Sequence, residues 1–140
     1  MQAATRVSVG QVTMHPIVGY RALGASIAWL CRVFGFEPLE VAQTEDGSYA
    51  HVELRLGDGV IVPATKRDDV NPENPWGGPI GMQGLYVALD GIEDHYGRAV
   101  AEGAEIVRPL AETDWGSREY TARDLEGNLW AFGTYRPYVG

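Results

Sequence analysis

The sequence predicts an α+β fold made of two βαβββ modules, with mixed, mainly antiparallel sheets curled around a cleft and helices outside. The first reason is an internal repeat at a constant offset of 69 residues, which relates Gly47 to Gly116 and Leu56 to Leu125. The second is that each half carries the same order of parts, an apolar strand, a helix and three further strands. Two copies are too few for a solenoid. They can instead close about a pseudo-twofold axis, and that axis creates a cleft.

The first module occupies about residues 11–65. Its first strand is predicted at 12–20, where Pro16 lacks an amide donor and therefore favours a sheet edge or a bulge. A helix follows at 25–34, because apolar residues recur there at helical spacing, and Gly35 ends it. The apolar face of this helix consists of Ile27, Leu30, Cys31 and Phe34.

Three more strands complete this module, at 37–44, 49–56 and 60–65, with a glycine-containing turn before each of the last two. The strand at 49–56 alternates, with its apolar residues on one face and Tyr49, His51, Glu53 and Arg55 on the other. A linker rich in Pro and Gly follows at 66–82. Trp76 lies in it, and two interpretations stay open: that it caps the cleft, or that it anchors the loop.

The second module, at about 83–136, repeats the scheme within a single domain of residues 1–140. Its helix is predicted at 91–102, with His95 facing solvent. The strands are expected at 85–89, 105–110, 118–123 and 129–135, and the core between sheets and helices at Trp29, Phe34, Trp130 and Phe132.

Composition excludes several classes of partner. The chain has 11 Lys and Arg against 19 Asp and Glu, a net charge of -8, which argues against nucleic acid or an anionic membrane. This charge would modestly favour a cationic ligand, but simple solubility is the explanation that we favour. Cys31 is the one cysteine, so we expect a buried, inert thiol in a reducing compartment. With neither a secretory signal nor a membrane-length apolar run, a cytoplasmic location is expected.

Three segments resemble a known family. They are Ser26-Ile27-Ala28-Trp29 running into Val33-Phe34-Gly35-Phe36, then Ala101-Glu102-Gly103-Ala104, and last Asp124-Leu125-Glu126-Gly127-Asn128-Leu129-Trp130. The sequence is similar to the vicinal-oxygen-chelate superfamily, which includes glyoxalase I, extradiol dioxygenases, fosfomycin-modifying enzymes and bleomycin-resistance proteins. The resemblance implies the fold and a homodimer. It leaves the function open, because this fold serves both catalysts and pure binding proteins.

The resemblance also indicates where a metal would be bound. Metal-dependent members carry one ligand on the first and last strand of each module, and these positions correspond here to His15, Val62, Gly84 and Ala131. Of the four residues, His15 alone has a side chain that can ligate. A catalytic centre usually needs about three protein ligands, so no cofactor is expected and a divalent metal is disfavoured. His15, His51 and Glu53 form a weak alternative metal site, and we favour the interpretation that His51 and Glu53 are ordinary polar residues of an amphipathic strand.

Strand parity predicts what lines the cleft. If His15 points inward, Ile17 and Tyr86 do so too, and the repeat pairs His51 with Tyr120 and Tyr49 with Arg118. Trp115 ends the loop before the strand at 118–123 and is placed to overhang the mouth. For the aromatic residues, a place in the barrel core is the alternative. The predicted ligand-binding set is His15, Ile17, His51, Tyr86, Trp115 and Tyr120.

Three functions follow from this set. The first is metal-free binding of an aromatic or cationic metabolite or antibiotic. The second is a small-metabolite isomerase, lyase or dioxygenase-like enzyme, with His15 or His51 as the base and Tyr120 or Arg118 stabilising an oxyanion. The third is a structural or regulatory partner with no small ligand.

Overall fold

The computed structural model describes residues 14–69 and 81–136. The first module contains β1 (Ile17–Tyr20), α1 (Leu23–Trp29), β2 (Glu37–Gln43), β3 (Tyr49–Leu56) and β4 (Gly59–Thr65), and a π-helical turn (Leu30–Phe34) continues α1. The second contains β5 (Gly84–Ala88), α2 (Ile92–Ala101), β6 (Glu105–Glu112), β7 (Arg118–Arg123) and β8 (Leu129–Gly133). The predicted fold of two βαβββ modules is confirmed. Trp76 and most of the linker lie outside the described residues.

Each module forms one four-stranded sheet, with strand orders β1-β4-β3-β2 and β5-β8-β7-β6. In each sheet the first and last strands of the module, β1 with β4 and β5 with β8, pair in parallel. All other strand pairs are antiparallel. Ile17 lies opposite Val62, and Tyr86 lies opposite Ala131 at the equivalent place in the second sheet. Pro16 precedes the edge strand β1, and its carbonyl accepts the Val62 N–H at 2.8 Å. The edge position that Pro16 predicts is therefore observed.

A β-bulge in β3 interrupts the repeat. Gln43 of β2 faces Tyr49, whereas the preceding residue, Ala42, faces His51. Ala50 is consequently an extra residue without a partner in β2. An extra residue in a strand reverses the faces on which the following side chains lie.

The equivalent strand of the second module has no such bulge at its start. Arg118 and Glu119 of β7 face consecutive residues of β6. Beyond the bulge, β3 and β7 therefore correspond at an offset one residue shorter than the repeat. His51 therefore corresponds to Glu119. Val52 corresponds to Tyr120, and the Val52 and Tyr120 side chains are both buried.

The helices cover one face of each sheet, and a single core draws residues from both modules. Phe34, at the end of the π-helical turn, is fully buried at its centre. Its ring centroid is 4.9 Å from those of Trp29 and Phe132 and 5.6 Å from that of Trp130. The predicted core of these four aromatic residues is confirmed.

The two helices are joined by side chains of α2 that bind carbonyls at the end of the π-helical turn. His95 Nε2 donates to the Phe34 carbonyl at 2.7 Å, and Arg98 donates to the Arg32 and Cys31 carbonyls at 3.1 and 3.3 Å. The prediction of a solvent-facing His95 is therefore wrong. Gly35, with φ of 80°, ends the turn as the sequence predicts.

His95 is held in one neutral form. Since a carbonyl can only accept, Nε2 carries the proton and Nδ1 accepts the Tyr120 hydroxyl at 2.7 Å. Burial lowers the pKa of His95, and the Phe34 carbonyl and Arg98 act on it more weakly. Protonation of His95 Nδ1 would point its hydrogen at the Tyr120 hydroxyl. The hydroxyl hydrogen would then need a different acceptor.

We expect this histidine to make stability depend on pH. The pKa of His95 is lowered in the fold, so between that value and about 6.5 the unfolded chain binds more protons and stability rises with pH. The contribution is fully present above about pH 6.5 and is lost as the pH falls through that window. Urea unfolding from about pH 7.5 to 5.5 should show a shallower slope for His95→Gln than for the native chain. Exposed His51→Gln is the control, and equal slopes for His95→Gln and the native chain would contradict the assignment.

The turn between β7 and β8 crosses to the first module. Asp124 accepts the Tyr20 hydroxyl at 2.7 Å and the Trp130 Nε1–H at 2.9 Å. Glu126 accepts the backbone N–H groups of Arg21 and Ala22, each at 2.8 Å. The N-cap residue of α1, Ala22, has no side chain that could cap the helix. The Glu126 carboxylate of the second module therefore binds the backbone N–H groups at the N-terminus of α1.

Within the described ranges, no helix is long and apolar enough to cross a membrane.

Candidate functional site

The first sheet carries a groove of about 640 Å³ that extends from the face not covered by α1 to the N-terminal end of that helix. This volume falls within the range of about 300–1,000 Å³ that is typical of small-molecule sites. The start of α1 and the first residues of β3 form its wall. Among the lining residues are Ile17, Val62 and Ala64 on the floor and Tyr49, His51 and Arg67 at the sides.

The floor is apolar because strand parity sends one set of side chains to each face. Val18 and Tyr20 of β1 are buried in the core, which leaves Ile17 on the groove side. Val62 lies opposite Ile17, and Ala64 lies opposite Gly19, so the floor combines small and branched residues. Such a surface contacts a ligand mainly through dispersion and burial rather than through hydrogen bonds.

Gly24 lets the wall close against α1. A Cβ atom at this position would lie 3.1 Å from the Tyr49 hydroxyl oxygen. A side chain at this position would require the Tyr49 hydroxyl to shift by a few tenths of an ångström. The absent side chain therefore lets Tyr49 pack beside the start of α1, where it lines the groove.

His51, one of the polar residues that line the groove, is paired with a carboxylate. His51 Nε2 lies 2.9 Å from Glu53 Oε2, and the two residues are neighbours on one face of β3. The His51 side chain is 49% exposed and the Glu53 side chain 21%. This half-open pair can exchange a proton with a bound molecule, and the carboxylate fixes the orientation of the ring.

The metal positions implied by the resemblance do not fit a metal. Val62, Gly84 and Ala131 have no donor atom in their side chains. His15 is exposed, with Nδ1 3.3 Å from the Val60 carbonyl oxygen. Across residues 14–69 and 81–136, no three His, Cys, Asp or Glu side chains converge in a group that could hold a metal ion.

The open face of the second sheet has different chemistry. Tyr86 is 38% exposed there, and its hydroxyl donates to the Tyr135 carbonyl. Trp115, in the turn before β7, is 64% exposed. Its Nε1 lies 3.4 Å from Glu119 Oε2. These aromatic residues lie on the module opposite the one that lines the groove.

Tyr120 and Arg118, two further predicted site residues, also lie outside the groove. Tyr120 is fully buried, with its hydroxyl bonded to His95 and its ring 5.2 Å from that of Phe132. The predicted place of Tyr120 in the cleft is therefore wrong. Arg118 pairs with Glu93 of α2 at 2.9 Å and is not a groove residue. The cause of the Tyr120 error is the bulge at Ala50, which makes Glu119 the counterpart of His51.

The thiol of Cys31 is half-buried beside the core. Burial raises the pKa of this thiol, which keeps it protonated and poorly nucleophilic. The sequence predicts a buried thiol, whereas the Cys31 side chain is only half-buried.

Similarity to known proteins extends over nearly the whole chain. Residues 13–132 match the model of the Glyoxalase/Bleomycin resistance protein/Dioxygenase superfamily. The chain belongs to this superfamily. TioX from Micromonospora sp. ML1 is 31% identical, with a TM-score of 0.72 over 89% of this chain and 100% of TioX.

Two further solved structures share the fold at lower identity. Lactoylglutathione lyase from Agrobacterium tumefaciens is 21% identical, covering 87% of this chain and 92% of its own, with a TM-score of 0.62. Virulence protein STM3117 from Salmonella typhimurium is 17% identical, covering 91% and 99%, with a TM-score of 0.64. No curated protein matches the sequence.

Two residues of the open faces are not predicted by the sequence pattern. Arg67 belongs to the predicted linker at 66–82, yet it lines the groove of the first sheet. Glu119 is overlooked because the uninterrupted repeat places Tyr120 beside the cleft. The signal that was available is the alternation in β7, where Tyr120 and Ala122 are the apolar pair and Glu119 and Thr121 the polar one.

Proposed function

We propose that this superfamily member is a metal-free binding protein whose first-sheet groove takes an aromatic or cationic metabolite or antibiotic. The observation that carries the proposal is the groove itself, which is large enough for a small molecule and has the apolar floor of Ile17, Val62 and Ala64. Val62 occupies a position where metal-dependent relatives are expected to carry a ligand. The groove therefore offers contact area in place of coordination.

The lining favours a flat, partly apolar molecule. Covering apolar surface gains about 25 cal/mol per Å², and Tyr49 adds an aromatic face at the wall. The net charge of -8 attracts cations over the whole molecule. Arg67 at the rim lies 3.6 Å from Asp69, which offsets its positive charge.

A groove-filling substitution tests this proposal. Val62→Phe places a ring on the floor and should abolish the stabilisation that bound ligands confer, which for the native chain is about 2.7 kcal/mol at a ligand concentration of 100 times Kd. The measurement is thermal unfolding with a panel of aromatic and cationic compounds that includes bleomycin-type antibiotics. Val107→Phe, an equal change at a 43% exposed site on β6, is the matched control and should respond like the native chain.

Two outcomes would count against the groove. If no compound stabilises the native chain, the binding function loses its support. If Val62→Phe responds to a hit as strongly as Val107→Phe does, the ligand binds elsewhere.

The second candidate function is an enzyme that uses His51 as a general base. The observation that favours it is the 2.9 Å contact between His51 and Glu53 beside the apolar floor. Mass spectrometry of the same compounds after incubation would detect conversion. Conversion that persists undiminished in His51→Ala would remove this candidate, while binding without conversion would leave the first proposal standing.

A further inference from the structure

A side chain of the second module binds the free edge of β1. β1 is an edge strand of the first sheet, and β4 pairs with one of its two sides. On the other side Gln83, the residue directly before β5, donates through Nε2 to the Ile17 carbonyl at 2.6 Å. The same amide accepts the Gly19 N–H through Oε1 at 2.9 Å. Peptide groups two residues apart point to the same edge of a strand, so this amide covers the edge that another strand would otherwise cover.

The two hydrogen bonds follow the pattern of a parallel strand pair. On the β4 side, Val62 lies opposite Ile17 and donates its N–H to the carbonyl of the preceding residue, Pro16. The Gln83 amide stands in the same relation to Val18. It donates to the carbonyl of the residue before Val18 and accepts the N–H of the residue after it. The side chain thus takes the place of a strand residue opposite Val18.

The backbone of Gln83 is fixed within the second module. Its N–H donates to Asn128 Oδ1 at 3.1 Å, and its carbonyl accepts the Leu129 N–H at 2.9 Å. Asn128 is buried and donates in turn to Asp124 Oδ2 at 3.2 Å. Met14, at the equivalent position of the first module, is 83% exposed and has no amide. The contact therefore runs in one direction, from the second module to the first.

The strand that Gln83 holds carries part of the groove floor. Ile17 lines the groove and lies opposite Val62. β1 has only four residues, so two hydrogen bonds along its edge matter to its placement. Gly19 is buried, and a buried N–H without an acceptor is costly, so removing the amide would make β1 shift or admit water. The position of Ile17 therefore depends on a residue of the second module.

We infer that Gln83 is a positioning residue for the groove, because its amide acts as a strand residue on the free edge of β1 and thereby fixes the backbone of Ile17. Gln83 is not among the residues that line the groove, so its influence on a ligand is indirect. For that influence the inference rests on the proposed function. The effect on β1 needs no ligand and can be measured separately.

Gln83→Glu tests the mechanism, because protonation of the new carboxyl can restore it. When ionised, this group still accepts the Gly19 N–H but turns a second oxygen toward the Ile17 carbonyl, whereas the protonated acid carries a hydrogen there, as the amide does. We would record the carbonyl ¹³C shift of Ile17 and the amide shifts of Gly19 and Val62 without ligand. The range from about pH 7.5 to 4 spans the usual pKa of a glutamic acid, about 4.3.

The native chain at each pH is the reference, which subtracts the titration of His95 and of the native carboxylates. Gln83→Glu should differ from the native chain at the higher pH and return toward it at the lower one. Gln83→Leu, which has neither donor nor acceptor, should stay displaced throughout. Native shifts at Ile17 and Val62 in Gln83→Leu would overturn the inference. So would a Gln83→Glu chain that stays as displaced at low pH as Gln83→Leu.

The effect on binding is measured with proflavine, a flat aromatic cation, by fluorescence titration at about pH 7.5. Val62→Phe identifies the part of the signal that comes from the groove. Gln83→Leu should weaken that binding about three- to tenfold, the equivalent of one lost hydrogen bond. Glu112→Leu, a change to the same residue on the exposed edge strand β6, is the control and should bind like the native chain.

The two experiments separate the inference from the proposed function. An unchanged proflavine affinity in Gln83→Leu would overturn the positioning role. If proflavine does not bind the native groove, that result counts against the proposed function, and the ligand-free shifts still decide whether Gln83 positions β1.

Discussion

Replacing Phe34 by Ala is expected to destabilise the protein by about 3–5 kcal/mol, the usual cost of removing a large buried aromatic side chain. Phe34 ends the helical segment of the first module, yet its ring packs against Trp130 and Phe132 of the second. The cavity would therefore open where the two modules meet. Urea unfolding followed by circular dichroism measures the loss.

The control for this prediction is Val107→Ala, on an exposed part of β6. Surface changes of this kind usually alter stability by about 0.5 kcal/mol or less. Phe34→Leu retains most of the side-chain volume and should lie between the two. A loss below about 1 kcal/mol for Phe34→Ala would mean that the modules do not share one core.

Replacing Asp124 by Ala is expected to cost about 3 kcal/mol or more, because each buried donor left without an acceptor costs about 1–3 kcal/mol. Tyr20 and Trp130 are both fully buried and both donate to Asp124 Oδ2. The other oxygen, Oδ1, accepts the N–H groups of Glu126 and Asn128, each at 3.0 Å. The substitution would therefore loosen the turn and detach it from β1.

Asp124→Asn separates the network from side-chain size. Both oxygens of Asp124 receive donors, so an amide NH₂ would face other N–H or O–H groups, and we expect at least about 2 kcal/mol of destabilisation. Asp90→Asn, at a 97% exposed side chain, is the control. If Asp124→Asn unfolds at the same urea concentration as Asp90→Asn, the network contributes nothing to stability.

Most of the fold could be predicted because helices, strands and turns depend mainly on short-range sequence patterns. Apolar periodicity and turn glycines predict most helices and strands to within a few residues, although the strand predicted at 12–20 begins only at Ile17. The repeat predicts that the two modules share one topology. The cross-module contacts of the Asp124 turn and the Phe34 ring could not be predicted, since they depend on how the modules pack.

The candidate site was predicted only in part, and a single residue explains much of the error. Ala50 forms a bulge that changes the side-chain parity between β3 and β7. Reading the repeat without a bulge places Tyr120 in the cleft and overlooks Glu119. His95 was misplaced for a different reason. Its place beside Asp94 predicts a surface residue, whereas its ring packs against Phe34 and Phe132 and its Nε2 donates to the Phe34 carbonyl.

We propose that the groove of the first sheet binds its ligand without a metal. NMR chemical-shift mapping of a screening hit in EDTA, repeated with Zn²⁺ or Ni²⁺ in place of the chelator, tests this directly. We expect the same saturable shifts in both conditions, at the amides of Ile17, His51, Val62 and Ala64. Shifts that appear only with the metal, or that lie outside this groove, would contradict it.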